Sequence, residues 1–365
     1  MTIDVVVVGR SANVSHSMRR YQDLLLHTYA ELGHQSRLLV PLAILSRWSA
    51  NKLLTKWFGY VEEFLIFPFF LRYSTSKNAV VHIADHSSAI LVLLLARRRK
   101  VIVTVHDLIA VLAARGFYES VHIGRLGRLY QDLVVRGLKN ASQLIAVSHA
   151  TQSVISEVCD RQSRVIYNQL PGDIDFDSTT PSELKTKKPY AILVSSSGWR
   201  KRRDRAIKAW AYLRDQANWT DLELKVVGER VTEDEIEGLP LDLRSQIHEY
   251  PNVGDTELVA HYRDASVLLQ LSLDEGFCWP IIEAQRHHVP CVCSDIPVLR
   301  ETSGGIAIFV AADSLADVDW RQVRSGIEVL ARANGGRDNV RRFSAEIFFC
   351  NIEENLLLLS RTPRS

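Results

Sequence analysis

One pattern occurs twice along this chain and restricts its fold more than any other feature: short β-branched runs alternate with segments of helical period. The run from Val5 to Val8 is apolar at every position, as in a strand covered on both faces. Such alternation predicts a parallel sheet flanked by helices, and its repetition predicts two Rossmann-like domains in tandem. The predicted strands are Ile3–Val8, Arg37–Val40, Ala79–Ile83, Val101–Val105, Gln143–Val147, Arg164–Tyr167, Tyr190–Ser195, Leu222–Gly228, Gln246–Tyr250, Ser266–Leu271, Pro290–Ser294 and Ile306–Val310.

A polar, turn-rich stretch separates the two repeats and predicts a linker. A length of 365 residues also favours two domains over one. Because ligands bind at the carboxyl ends of parallel strands, we expect the two sheets to face each other across a cleft that holds the site. The expected segments are a first Rossmann-like domain over 1–170, a linker over 171–189, a second Rossmann-like domain over 190–340, and a helix within 341–365 that packs back on the first domain.

Composition excludes several classes of protein. A net charge of +2 does not indicate a nucleic-acid partner. The five cysteines are odd in number and loosely spaced, so we expect neither disulfides nor a metal site, and Cys291 and Cys293 are interpreted as core residues. The chain opens without a basic signal-peptide region, and no run reaches the ~20 apolar residues of a spanning helix. These features predict a cytoplasmic protein.

The most informative segment, Asp-Glu-Gly-Phe-Cys-Trp-Pro-Ile-Ile-Glu-Ala at 274–284, follows a predicted strand. Pro280 suits the first turn of a helix. The peptide N–H groups from Gly276 onward would then form an anion site at the helix N-terminus. Glu275 and Glu283 could accept hydrogen bonds from sugar or ribose hydroxyls. On spacing alone, a surface loop with two solvated acids explains the segment better.

This segment resembles the E-x7-E signature of glycosyltransferase family 4, in its E-G-F-G-L-P-x-x-E-A form. The likeness is dense over residues 190–310 and thin in the first half, where His106-Asp107 and residues 18–21 stand out. It implies the GT-B arrangement, with an acceptor domain over 1–170 and a nucleotide-sugar domain over 190–340. It also implies retaining transfer from a nucleotide-diphosphate sugar without metal or cofactor. Cys278 and Trp279 stand where the family has Gly and Leu, which leaves the donor open.

The resemblance also implies roles for individual residues. Glu275 would bind hydroxyls of the donor sugar, and Glu283 would accept from the nucleotide ribose. Arg200 and Lys201 match the family's Arg-Lys pair and would stabilise charge on the diphosphate, although a solvated basic loop is the alternative. His106 would contact the donor sugar, with packing or capping as the alternative. The other donor-binding residues expected are Ser195, where the family has Gly, and Ser196, Gly228, Asn252, Val253, Gly276, Phe277 and Cys278.

Two further regions of the first half carry predictions. The loop after the first strand has one glycine and no G-x-G-x-x-G fingerprint, which argues against NAD; Ser11, Asn13 and Arg20 are its candidate acceptor contacts. The aromatic stretch Trp48–Tyr73, with flanking cations, either packs on the domain or lies in a membrane interface. Pro68 should end or kink a helix there. The basic run 97–100 predicts a solvated turn.

The function that the resemblance implies is transfer of a hexose from GDP-mannose or a UDP-sugar to a glycan or lipid-linked acceptor in surface polysaccharide synthesis. The leaving diphosphate would act as the base, and peripheral contact with the cytoplasmic face of the inner membrane is expected. Two alternatives stay open, a non-catalytic nucleotide-sugar-binding protein and a sugar-nucleotide epimerase of the same fold.

Overall fold

A computed structural model describes residues 2–10, 16–41, 58–59, 61–95, 99–170, 188–311, 314–333 and 336–361. The chain divides into two compact units, one formed by residues 1–169 with 346–365 and the other by residues 170–345. The predicted linker lies almost wholly outside the described residues.

The first unit contains a six-stranded, fully parallel sheet in the order β2-β1-β3-β4-β5-β6. Val6 and Val8 belong to the core on one face, and Val5 and Val7 to the core on the other, as the continuous apolar run predicts. The strands are β1 Asp4–Val8, β2 Gln35–Leu39, β3 Val80–Ile83, β4 Lys100–Val105, β5 Gln143–Ala146 and β6 Arg164–Val165. The helices are α1 His16–Glu31, α2 Phe67–Ser74, α3 Val92–Leu95, α4 Ile109–Ala114, α5 Arg125–Asn140 and α6 His149–Cys159.

The second unit repeats the architecture with a different strand order, β12-β11-β10-β7-β8-β9, again parallel throughout. Its core includes Trp210 and Trp320, each no more than 1% exposed. The strands are β7 Tyr190–Ser195, β8 Glu223–Gly228, β9 Ile247–Pro251, β10 Val267–Gln270, β11 Cys291–Ser294 and β12 Ile308–Val310. The helices are α7 Arg203–Asp215, α8 Leu241–Arg244, α9 Asp255–Asp264, α10 Trp279–Arg286, α11 Pro297–Thr302, α12 Trp320–Arg332 and α13 Arg337–Val340.

The last helix, α14 Ala345–Arg361, belongs to the first unit. Its apolar stripe, which includes Phe348, Ile352 and Leu356, lies in the core that also contains Val5 and Val7 of β1. Burial of that stripe, rather than helix propensity, holds a terminal helix of this kind in place.

The prediction of a solvated basic turn before β4 is wrong for the two residues that the structure describes. Arg99 is buried, and its guanidinium donates to the carbonyls of Arg72 and Thr75 at 2.7 Å each, at the end of α2. The Lys100 ammonium donates to the carbonyl of Leu359 at 2.7 Å, near the end of α14. Helix C-termini expose carbonyls without intrahelical partners, so each cation caps a helix end, Arg99 from a buried position and Lys100 from a half-buried one.

Strand order sets where a site can form in each sheet. In the first sheet β1 lies between β2 and β3, and in the second β7 lies between β8 and β10. At these points the crossover direction reverses, which leaves a crevice at the carboxyl ends of two neighbouring strands. The residues that follow β1 and β3, and those that follow β7 and β10, are therefore placed to form a site in each unit.

Candidate functional site

The loop from β10 into α10 has the geometry that its sequence predicts. α10 begins at Trp279, with Pro280 in its first turn. Cys278, immediately before the helix, has φ 75° and ψ 74°, in the left-handed region that favours glycine. Its thiol is buried, and burial raises its pKa well above the ordinary value, so it stays protonated. The family's glycine thus corresponds to a backbone position that this chain fills with a strained cysteine.

Glu275 forms the centre of the site in the second unit. Its carboxylate is 5% exposed and accepts from Arg200 Nη1 at 2.8 Å and from Lys201 Nζ at 2.6 Å. These cations lie in the short 3₁₀ turn Trp199–Lys201 that follows β7, whereas Glu275 follows β10. The structure therefore brings together three residues predicted for catalysis, at the switch point of the second sheet. Their direct ion pairing was not predicted.

Two contacts to backbone carbonyls attach the basic turn, Trp199–Lys201, to the acidic loop, which joins β10 to α10 and contains Glu275. The Leu273 N–H donates to the Arg200 carbonyl at 2.7 Å, and the Arg200 side chain reaches the Asp274 carbonyl at 3.3 Å. The other two cations of the run point elsewhere: Arg202 pairs with Asp204, and Arg203 is buried against Glu235. Only half of the basic run therefore contacts Glu275.

The electrostatics of Glu275 depend on its neighbours. Burial by itself would raise the pKa of this carboxyl, but Lys201, Arg200 and a hydrogen bond from Ser272 together hold it below its ordinary value. Glu275 is therefore an anion at neutral pH, placed between two cations. Such an arrangement suits a group that must share its cations with an incoming diphosphate.

Glu283, the second acid of the motif, is buried on α10. Its Oε2 accepts from the hydroxyl of Tyr262 at 2.9 Å, and Tyr262 itself is fully buried on α9. Burial and the nearby carboxylate of Glu283 raise the pKa of Tyr262 well above its ordinary value, so the tyrosine remains a donor. Tyr262 is a functional residue that the sequence analysis did not single out, and its hydrogen bond holds the Glu283 carboxylate in place.

The expected donor-binding residues lie mostly at the carboxyl edge of the second sheet. Ser195 pairs with Gly228 across β7 and β8, and a Cβ on Gly228 would meet the Ser195 carbonyl oxygen at 2.5 Å, so only glycine fits there. Asn252 follows β9 with φ 59°, next to Val253. Ser196 is exposed in the loop after β7. Their roles stay predictions.

Phe277 and Gly276, two buried residues of the acidic loop, were expected to bind the donor. The Phe277 ring is buried and contacts Phe343 edge to face, with ring centroids 5.5 Å apart. Its side chain is therefore part of the core, and any donor contact would come from its backbone. Gly276 beside it is also buried.

In the first unit, His106 follows β4 and is buried. Its Nε2 donates to the carbonyl of Ala84 at 2.9 Å, and its ring lies edge to face with Tyr21, with centroids 4.6 Å apart. Burial lowers the pKa of His106, so the ring is neutral and Nδ1 is the atom able to accept a hydrogen bond. The Asp107 carboxylate accepts from the Ile109 N–H at 3.2 Å, at the start of α4.

A charged cluster that sequence reasoning missed lies at the switch point of the first sheet. Arg10, two residues after β1, contacts Asp85 at 3.5 Å and Glu63 at 4.0 Å. Asp85 follows β3, and Glu63 lies in a π-helical turn, Glu62–Ile66, a helix type found often at functional sites. Burial raises the pKa of Glu63. Burial alone would also raise the pKa of Asp85, but His86, a hydrogen bond from the Ser87 N–H and Arg10 hold it below its ordinary value.

The predicted acceptor residues are only partly described. Ser11 and Asn13 lie outside the described residues, and so do residues 48–57 and 60 of the aromatic stretch Trp48–Tyr73. Arg20 lies half-buried on α1. The signal that could have revealed the charged cluster is the acid-histidine pair, Asp85-His86, directly after an apolar strand.

The two halves of the chain match two family models. Residues 18–170 match the model described as Glycosyltransferase Family 4, and residues 176–305 match Glycosyl transferases group 1. Together these matches extend over most of the chain, and the second includes Arg200, Lys201 and both acids of the E-x7-E segment.

Individual relatives are more distant. The O-antigen chain mannosyltransferase RfbU of Salmonella typhimurium is 25% identical over 238 residues, which are 63% of this chain and 62% of that protein, so the match spans less than two thirds of the relative. Sucrose-phosphate synthase from Thermosynechococcus elongatus aligns over 98% of this chain and 99% of its own, with a TM-score of 0.77 at 16% identity. HepE of Anabaena, solved with UDP and glucose, aligns over 97% and 99%, with a TM-score of 0.67 at 15% identity. These two likenesses show the fold, and the predicted pair of parallel-sheet α/β domains is confirmed.

Proposed function

We infer that this chain, which belongs to glycosyltransferase family 4 and has the GT-B fold, moves a hexose from a nucleotide-diphosphate sugar to a glycan or lipid-linked acceptor, with retention of configuration. The observation that carries this inference is Glu275, an ionised and buried carboxylate between Arg200 and Lys201. Two cations at the switch point suit a diphosphate, and a carboxylate between them suits the hydroxyls of the sugar it carries.

In the proposed reaction, the bond between the anomeric carbon and the diphosphate oxygen breaks, and its electron pair stays on that oxygen. The acceptor hydroxyl forms its new bond on the same face of the sugar, and its proton passes to the leaving phosphate oxygen. Negative charge on the diphosphate grows as the bond breaks, so Arg200 and Lys201 stabilise the transition state more than the ground state.

We propose that no metal ion is needed, because the two cations supply the positive charge that a divalent ion provides to a leaving phosphate elsewhere. Activity should then be unchanged in excess EDTA. A loss in EDTA that magnesium or manganese restores would contradict this part of the proposal.

The donor is proposed from two relatives. RfbU is named as a mannosyltransferase, which supports mannose as the sugar, whereas HepE was solved with UDP, which supports a uridine donor. The deciding test is a thermal-shift screen with UDP, GDP and ADP, followed by transfer assays with the matching sugars and NMR of the product anomer. A ligand at one hundred times its Kd should stabilise the protein by about 2.7 kcal/mol. No transfer and no donor hydrolysis with any sugar nucleotide would instead favour a non-catalytic binding protein.

The acceptor is proposed to bind at the switch point of the first sheet. Arg10 lies there between two carboxyl groups, Glu63 and Asp85, with His86 beside Asp85. Carboxylates accept hydrogen bonds from sugar hydroxyls but repel phosphate. The acceptor group bound there is therefore a neutral sugar, and Ser11, Asn13 and Arg20 stay candidate contacts beside it.

Peripheral membrane contact is also proposed, through the exposed apolar residues in and before α2. Phe69 and Tyr73, one turn apart on α2, are 65% and 83% exposed, and Leu65 in the preceding turn is 61% exposed. Among the described residues, no helix is both long and apolar enough to cross a bilayer.

Co-sedimentation with phosphatidylglycerol vesicles tests this contact. The double substitution Phe69→Ser and Tyr73→Ser should abolish binding, whereas Leu241→Ser, at an equally exposed position of the second unit, should not. Equal binding by both variants, or none by the parent protein, would contradict the membrane proposal.

A further inference from the structure

A buried amide lies beside the central carboxylate of the second unit. Gln270 is the last residue of β10, after three apolar residues, and it is 1% exposed. Ser272, two residues on, is fully buried as well. An amide and a hydroxyl in such surroundings are costly unless they are hydrogen-bonded, so their partners indicate why they are there.

The directions of these hydrogen bonds follow from the chemistry of each group. An ionised carboxylate can only accept, so the Ser272 hydroxyl, 2.8 Å from Glu275 Oε1, donates its single proton to that oxygen. The Ser272 oxygen then accepts from Gln270 Nε2, which is 2.7 Å away. The same Nε2 lies 3.4 Å from Glu275 Oε1. The amide nitrogen of Gln270 must therefore face the carboxylate.

The two carboxylate oxygens of Glu275 accept different numbers of hydrogen bonds. Oε1 accepts from Lys201 at 2.6 Å, from Ser272 and, at longer range, from Gln270, whereas Oε2 accepts from Arg200 at 2.8 Å. The amide oxygen of Gln270 has no hydrogen-bond partner among the residues that the structure describes. An unpaired buried oxygen is unfavourable, which indicates that the amide is held in this orientation by what its nitrogen does for Glu275.

We propose that Gln270 and Ser272 form a relay that positions Glu275, saturating Oε1 and directing Oε2 toward the donor sugar. The relay rests on the proposed transfer reaction, and both residues are positioning residues, because they act through Glu275. The titratable groups that face this carboxylate are Lys201 and Arg200 of the turn after β7 and the Cys278 thiol of its own loop. Ser272 adds a donor to the charged form, and its loss should make Glu275 easier to protonate.

The test compares Ser272→Ala, Gln270→Leu and their double variant with the parent enzyme, using UDP-glucose and GDP-mannose as donors. Loss of a hydrogen bond to a charged group should lower kcat by about tenfold to hundredfold with Ser272→Ala, with little change in donor KM. The acidic limb of the plot of kcat against pH should move to higher pH, because Glu275 becomes easier to protonate. Ser272→Thr should restore both, and the double variant should lose less than the product of the single losses. Ser303→Ala, at a buried serine that donates to a backbone carbonyl, is the matched control.

An unchanged kcat and pH profile in Ser272→Ala, or losses that multiply in the double variant, would overturn the relay. If the parent protein turns over neither these donors nor any other sugar nucleotide, the proposed function fails, and carbon-13 NMR of labelled glutamate still tests the relay. The pKa of Glu275, assigned with Glu275→Gln, should rise in Ser272→Ala, and an unchanged value overturns the proposal. If Ser272→Ala does not fold, Gln270→Leu, which removes the amide donor, is compared with Ser272→Thr, which keeps the hydroxyl. The same kcat and pH-profile measurements are used.

Discussion

Replacing Glu275 by glutamine should destabilise the second unit, because Arg200 and Lys201 then face each other without a counter-charge. Breaking a buried ion pair by removing one partner costs about 3–5 kcal/mol. The side chains of Arg200 and Lys201 are 30% and 18% exposed, and glutamine keeps some hydrogen bonding, so we expect about 2–3 kcal/mol. For a unit of this size, that corresponds to a fall in Tm of roughly 5–10 °C.

The pH dependence of this effect has a definite sign. The folded pKa of Glu275 is below its ordinary value, so its ionisation contributes stability at neutral pH, where the carboxylate is charged in both folded and unfolded chains. That contribution is lost as pH falls below the unfolded value of about 4.3 toward the lowered folded pKa. The parent protein and Glu275→Gln should therefore differ most at neutral pH and converge in acid.

Differential scanning fluorimetry between pH 4 and pH 8 measures both effects. Asp295→Asn is the control, because it removes an exposed carboxylate paired with Arg300 at 2.8 Å, and an exposed pair of this kind contributes little to stability. Added UDP or GDP should stabilise Glu275→Gln more than the parent, since the diphosphate supplies the missing negative charge. A Tm within 1 °C of the parent at pH 7 would refute the electrostatic reasoning, as would a difference that grows in acid.

Three further predictions concern ligand binding and turnover. Tyr262→Phe removes the donor that orients Glu283, so isothermal titration should show nucleotide affinity reduced several-fold with the fold intact. Asp85→Asn should raise the acceptor KM in steady-state transfer assays while donor hydrolysis by water continues at the parent rate, and slowed hydrolysis would contradict that role. His106→Ala should lower kcat by a constant factor from pH 7 to pH 8, because the lowered pKa keeps His106 neutral throughout; a factor that varies with pH would count against it.

Local patterns in the sequence were sufficient for the elements and for much of the site. Each predicted run became a strand, with ends that differ by no more than two residues. The continuous apolar run at Val5–Val8 is buried on both faces, and the helix at Pro280 begins where its proline predicts. These features depend on the periodicity of apolar residues and on residues that are near in the chain, so they can be predicted from a single sequence.

The roles of some polar and charged residues could not be predicted from the sequence. Gln270 closes a strand that otherwise reads as core, and Arg99 belongs to a run of charges typical of a solvated turn. The sequence around each residue does not indicate its hydrogen-bond partners. For Arg99 the partners are the carbonyls at the end of α2. A charge run does not reveal whether a helix end lies within reach of it.

Tertiary structure alone decided which charges meet. Arg200 and Glu275 are joined because β7 and β10 are neighbours in their sheet, and Arg10 and Asp85 are joined because β1 and β3 are neighbours in theirs. Periodicity along a chain specifies that a segment is a strand, but not which strand lies beside it. That order results from packing the whole domain, and it determines which carboxyl ends, with the side chains that follow them, come together to form a site.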